Sequence, residues 1–184
     1  MGSEQLRPKV AFLDPTITYS VSKFQTACGS VDIMSHLFDT GYFTFNNDLA
    51  LLDSFMEAQL RIIIEFTPVA MEQPGNFDAR AILMWSSALA LNGLMQGGKK
   101  VVSSCHRMEH ELSGYYDITH GLGLAILTPR WMKYILNEQT AAKFYQFGVN
   151  VFGIDPSLEK TMVAEKALKC FQISSSRPWG CKVH

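Results

Sequence analysis

The sequence predicts an all-α fold with one short strand at its entrance, and three observations carry that expectation. Apolar residues recur at the i, i+3, i+4, i+7 spacing of a helical face over roughly 21–29, 31–42, 47–66, 77–95, 103–113, 120–136, 139–152 and 156–172. A strand pattern is convincing at Lys9–Leu13 alone, where Asp14-Pro15 closes the run because a residue before proline is pushed out of helical geometry. Start and stop signals fall between the helical segments.

Those signals can be read in order. Asn47 and Asp48 precede Leu49-Ala50-Leu51-Leu52, and Asn76 precedes the run from Phe77 to Leu94, as N-caps do. Pro74-Gly75 and Gly97-Gly98 break the chain between helices, and Gly114 marks a break before His120. Asp155-Pro156 reads as an N-cap followed by proline at the first helical position. No repeat or low-complexity linker interrupts the run, so one helical unit is expected.

Bulk composition narrows the function classes. With 184 residues, 47% hydrophobic and 18% charged, the chain is long enough for one well-filled core. A net charge of −1 from 16 basic and 17 acidic residues supplies no footprint for nucleic acid or an anionic membrane surface. The opening Met1-Gly2-Ser3-Glu4-Gln5 carries neither a basic nor an apolar leader region, so a cytoplasmic protein is expected. The most apolar stretch, Ala79–Met95, includes Arg80, Ser86, Ser87 and Asn92 and suits a buried helix better than a bilayer span. Cys28, Cys105, Cys170 and Cys181 form no C-x-x-C pair and read as reduced thiols. Cys105 adjoins His106, but neighbours on a helix point about 100° apart, which favours a small buried side chain over a ligand.

Two clusters carry chemistry. In Ser30-Val31-Asp32-Ile33-Met34-Ser35-His36 the carboxylate and the imidazole are four apart, which stacks them on one helical face among apolar neighbours. By itself this D-x-x-x-H pattern is a weak signal. The second cluster, Cys105-His106-Arg107-Met108-Glu109-His110-Glu111, places histidines at i and i+4, and His120 follows at an expected helix start. There the positive end of the helix favours a neutral ring with a free lone pair. Asp32, His36, His106, His110 and His120 all sit in apolar segments, where they would bury polar groups without partners unless they share an ion. One carboxylate with imidazoles suits Zn2+ or Fe2+ and poorly suits Ca2+ or Mg2+. Glu109 and Glu111 flank His110; either could orient a ligand, although a solvated face is the favoured reading.

Several strings resemble the iron-containing alcohol dehydrogenases, in particular the butanol dehydrogenase-like branch. They are Ala11-Phe12-Leu13-Asp14-Pro15, Gly29 to His36, Asn76-Phe77-Asp78-Ala79-Arg80 through Met84-Trp85, Asn92-Gly93-Leu94, Glu109 to Ser113, and His120-Gly121-Leu122-Gly123-Leu124-Ala125-Ile126. The resemblance runs from about residue 8 to about 172 and implies the helical C-terminal domain of the dehydroquinate synthase-like fold. It implies Asp32, His36, His106 and His120 as ligands of Fe2+ or Zn2+, with His110 beside them as a catalytic residue that relays a proton or orients the substrate. The implied reaction passes hydride between NAD(P)H and a small alcohol or aldehyde, with the ion polarising the oxygen. Met84 and Trp85 are expected in the core behind the site. A glycerol dehydrogenase-like or dehydroquinate synthase-like protein is the neighbouring alternative, and a non-catalytic metal-binding or oligomerisation module the alternative of another class.

Members of the family begin with a Rossmann-like domain whose glycine-rich loops hold the cofactor phosphates, and no such element occurs in this sequence before residue 8. The expected organisation is therefore residues 1–15 as the last strand of that domain, 16–172 as the helical metal-binding domain, and 173–184 as an irregular tail. Without the dinucleotide half, the chain alone is expected to give no turnover, and the apolar surface left uncovered suggests a homodimer. The tail from Ser174 to His184 lacks both periodicity and resemblance. Codons for Arg177 to Lys182 read in a shifted frame admit Ser-Leu-Gly-Leu-Gln, close to the turn with which relatives continue. A frameshift from about residue 173 is thus one expectation, with a natural short tail as the alternative.

Overall fold

The structure, a computed structural model, describes residues 8–43, 49–98 and 103–176. Seven α-helices make up the described chain: α1 Lys23–Leu37, α2 Ala50–Glu72, α3 Phe77–Leu91, α4 Cys105–Tyr116, α5 His120–Ile135, α6 Ala141–Phe152 and α7 Lys160–Ser176. α1 is central and packs against α2, α3 and α5; α4 lies on α5, and α6 and α7 pair at the far side. Among the described residues, no helix is long and apolar enough to cross a membrane.

Local chemistry explains most helix ends. Ser22 caps α1 by accepting from Gln25 N at 3.2 Å, and Asn76 caps α3 by accepting from Ala79 N at 3.0 Å, as its sequence position predicts. Asn47 and Asp48 lie outside the described residues. α6 ends at Gly153 with φ +66°, a left-handed position that glycine adopts without steric cost.

Five details differ from the sequence expectations. Lys9–Leu13 is irregular chain instead of a strand, with Val10 and Phe12 largely exposed, because no neighbouring strand is present among the described residues to complete a ladder. Segments 21–29 and 31–42 are not separate helices: α1 runs through Gly29 and passes into a π-turn, Phe38–Tyr42. Gly114 does not break α4, which ends instead at Asp117 in the left-handed region with φ 53°. Asp155 caps only a turn, accepting from Ser157 N at 2.8 Å, while Glu159 accepts from Thr161 N and Met162 N at the true start of α7. That helix continues past residue 172 to Ser176, and residues 177–184 lie outside the described set.

The core fills the space between α1, α2, α6 and α7 with aromatic rings. Phe38 meets Phe147 and Phe171 edge-on at 5.4 and 5.1 Å, geometries that align ring edges with ring faces. The π-turn brings Tyr42 inward, where its hydroxyl donates to Glu57 at 2.7 Å. Gln146 and Asn150 of α6 also donate to Glu57, so this buried carboxylate pins α2 to α6. Contrary to the sequence expectation, Trp85 is exposed and lies outside this core; Leu83 and Ala90 form the buried face of α3.

Candidate metal centre

Helix geometry assembles the candidate residues from three elements. Asp32 and His36 sit one turn apart on α1, and their side chains meet at 3.4 Å between Oδ1 and Nε2. His106 lies in the first turn of α4, its Nε2 3.4 Å from the same Asp32 oxygen. His120 is the first residue of α5, as the sequence predicts, and its Nε2 stands 3.5 Å from that oxygen. The rings of His36 and His106 stack with centroids 4.0 Å apart.

Three imidazole nitrogens thus surround one carboxylate oxygen at the long end of the hydrogen-bonding range. Ligands at about 2.0–2.1 Å from a tetrahedral first-row ion stand about 3.4 Å from one another; the donor atoms of Asp32, His36 and His106 lie within 4.8 Å of one another, close enough for one such ion, and His120 joins the set through its approach to Asp32 Oδ1. Exposure is graded across the cluster. The His106 side chain is 7% exposed and that of His36 19%, whereas Asp32 and His120 reach 32% and 37%. The centre therefore has a closed floor and an open side. A cleft of about 290 Å3 between α1 and α3, lined in part by Val21, Ile33, Leu83 and Met84, adjoins Asp32. A larger cleft of about 560 Å3 between α5, α6 and α7 is lined by none of the histidines.

A further carboxylate, Asp39, is missing from the sequence-derived set. Its Oδ2 lies 3.2 Å from His106 Nδ1 and accepts from His106 N at 3.1 Å. Its Oδ1 accepts from Ser104 N at 2.8 Å and Cys105 N at 3.1 Å, so the same side chain tethers the start of α4. The signal was present in Leu37-Phe38-Asp39, a carboxylate in an apolar run like Asp32 itself. Glu109 also departs from the favoured solvated reading: it is fully buried and contacts His120 Nδ1 and the Ser113 hydroxyl. Glu111 is exposed, as expected for a solvated face. His110 is exposed, with its ring centroid 5.2 Å from that of His120.

Electrostatics distinguish the rings. Burial raises the Asp32 carboxyl, but the His106 hydrogen bond and the surrounding imidazoles outweigh it and hold Asp32 below the ordinary range. Burial also opposes a charge on His106, yet hydrogen bonds to Asp32 and Asp39 push it up to about 9. His36 moves downward through burial and the neighbouring His106 charge. Without an ion, the two carboxylates favour the charged form of His106, and burial favours the neutral form of His36. Cys105 is not part of this set: it is buried, its thiol pushed up to about 11 by burial, and its sulfur lies 3.5 Å from Thr128 Oγ1.

Comparisons with known proteins agree with this arrangement of helices. Residues 26–176 match the model of the Fe-containing alcohol dehydrogenase family, C-terminal. The chain is 52% identical over 169 residues to NADH-dependent butanol dehydrogenase A of Clostridium acetobutylicum, covering 92% of this chain and 43% of that relative. It is 35% identical over 153 residues to the NADPH-dependent aldehyde reductase YqhD of Escherichia coli, covering 83% of this chain and 39% of the relative. The crystal structure of NADH-dependent butanol dehydrogenase A from Thermotoga maritima superposes with a TM-score of 0.88 at 36% identity, covering 98% of this chain and 44% of that one. The chain thus spans less than half the length of these relatives. It belongs to the Fe-containing alcohol dehydrogenase family and corresponds to the C-terminal part of its members.

Proposed function

We propose that this chain is the metal-binding part of an NAD(P)H-dependent alcohol dehydrogenase or aldehyde reductase, with Asp32, His36, His106 and His120 holding one Fe2+ or Zn2+. The observation that carries the reading is the convergence of three Nε2 atoms on Asp32 Oδ1 at 3.4–3.5 Å. A bound ion would supply Lewis acidity toward the oxygen of a small alcohol or aldehyde, with hydride carried by the nicotinamide. Asp32 offsets part of the ion's charge, and His36 and His106 close the floor against water. The substrate approaches over the open side formed by Asp32 and His120. His110, exposed beside His120, is placed to take or return a proton on its ring nitrogen at that opening.

These 184 residues span less than half the length of the relatives, and a hydride carrier acts only when it is held near the centre. Purified chain supplied with Fe2+ or Zn2+, butanol and NAD+ or NADP+ is expected to bind the ion and give no turnover. Joined to the N-terminal part of the Clostridium acetobutylicum relative, it is expected to reduce butyraldehyde. His120→Ala in that chimera should lower the rate by at least about 100-fold and His110→Ala by about 10–100-fold. Turnover indifferent to His120→Ala would refute the assignment.

A further inference from the structure

His120 meets a carboxylate on each edge of its ring. Its Nε2 faces Asp32 at 3.5 Å, while its Nδ1 is in direct contact with Glu109. Glu109 lies on α4 and is fully buried, an arrangement that is costly for a carboxylate unless donors reach it. The donors here are side chains, the Ser113 hydroxyl and His120.

Gly123 makes this burial possible. A Cβ at that position would stand 2.9 Å from Glu109 Cγ and 3.0 Å from Cδ, so a side chain there would have to displace the carboxylate. The donor atoms of Glu109, His110 and His120 lie within 4.8 Å of one another, as the ligands of a second ion would. His120 has two ring nitrogens, and with Nε2 turned to Asp32 it is Nδ1 that is left to donate to Glu109.

From this geometry we infer that Glu109 is a positioning residue: it holds the proton of His120 on Nδ1, so that Nε2 presents its lone pair toward Asp32. The inference rests on the reading of Asp32, His36, His106 and His120 as an ion site. A neutral imidazole carries one proton, and the acceptor at one nitrogen determines which nitrogen is left to bind. Asp39 bears the same relation to His106, but it also accepts from three backbone N–H groups at the start of α4. Its removal would mix helix capping with ligand orientation, whereas Glu109 separates the two.

The test uses the whole chain and Co2+ as the probe, with wild type, Glu109→Ala, Glu109→Gln and His120→Ala compared by visible-absorption titration. Nitrogen NMR of the chelator-treated proteins reads the His120 tautomer. Glu109→Ala is expected to weaken Co2+ binding by about 10–100-fold and to move His120 from the Nδ1–H toward the Nε2–H form. Glu109→Gln, nearly isosteric and still an acceptor, should recover part of both; it also decides the matter if the alanine variant does not fold. Co2+ affinity within twofold of wild type in both Glu109 variants, with an unchanged tautomer and with binding lost in His120→Ala, would overturn the role of Glu109 alone. Unchanged binding in His120→Ala would overturn the ion site and the inference together.

Discussion

Asp39 Oδ2 lies 3.2 Å from His106 Nδ1, on the opposite edge of the ring from Asp32. His106 is therefore held between two carboxylates, and although burial opposes its charge, their hydrogen bonds push its pKa up from 6.5 to about 9. A pKa raised on folding contributes stability that is fully present below the unfolded value and disappears as pH rises through the folded one. Chelator-treated protein should accordingly lose thermal stability between pH 6.5 and about 9. An ion must displace the same proton, so the affinity for Zn2+ should rise over that window. Thermal unfolding and competition titrations across the range check both directions.

Asp39 itself is held down to about 2; burial opposes this shift, but the hydrogen bonds from His106 and the backbone at the start of α4 prevail. Asp39→Asn would turn an amide NH2 toward donors that now meet an oxygen. The expected cost is about 1–3 kcal/mol in denaturant unfolding of the chelator-treated chain, together with a flatter pH profile over the His106 window.

Close packing at the start of α5 makes a third prediction. A Cβ at Gly121 would stand 2.6 Å from the Cys28 carbonyl carbon, which is backbone and cannot rotate away. Gly121→Ala should destabilise by about 1–3 kcal/mol. Gly114, in the interior of α4, has nothing within 4 Å of the place a methyl group would occupy, so Gly114→Ala should stabilise by about 0.5–1 kcal/mol. Parallel unfolding curves of the two variants check the contrast in sign.

Thiol reactivity offers a fourth. Burial raises both Cys28 and Cys105, the latter to about 11, so each is almost wholly protonated at neutral pH. Iodoacetamide at about pH 7.5, followed by peptide mapping, should leave both unmodified in the native chain and modify both after denaturation.

Much of this was legible in residue order. The 3.6-residue period located α3, α4, α5 and α6 to within a few residues, whereas α2 runs on past the expected 66 to Glu72, and Asn76 and His120 fall where capping and helix-start chemistry put them. The Asp32 and His36 pairing follows from one helical turn. What spacing does not encode is tertiary: Asp39 enters through a π-turn, a departure from regular helix that no period announces. Glu109 looks like a solvated glutamate until Gly123 brings α5 over it. Trp85 belongs to an apolar run, yet the face of α3 that it occupies has no partner among the described residues close enough to cover it. Lys9–Leu13 has strand composition, but a strand is a property of a sheet.

Metal stoichiometry reads the site around Asp32 itself. Purified chain should be treated with chelator, incubated with Zn2+ or, without oxygen, Fe2+, passed through gel filtration and analysed for metal alongside Asp32→Ala and His120→Ala. The wild type is expected to retain about one ion per chain, with a clear loss in both variants. A wild type that retains no ion, or variants that retain as much as it does, would contradict the ion site.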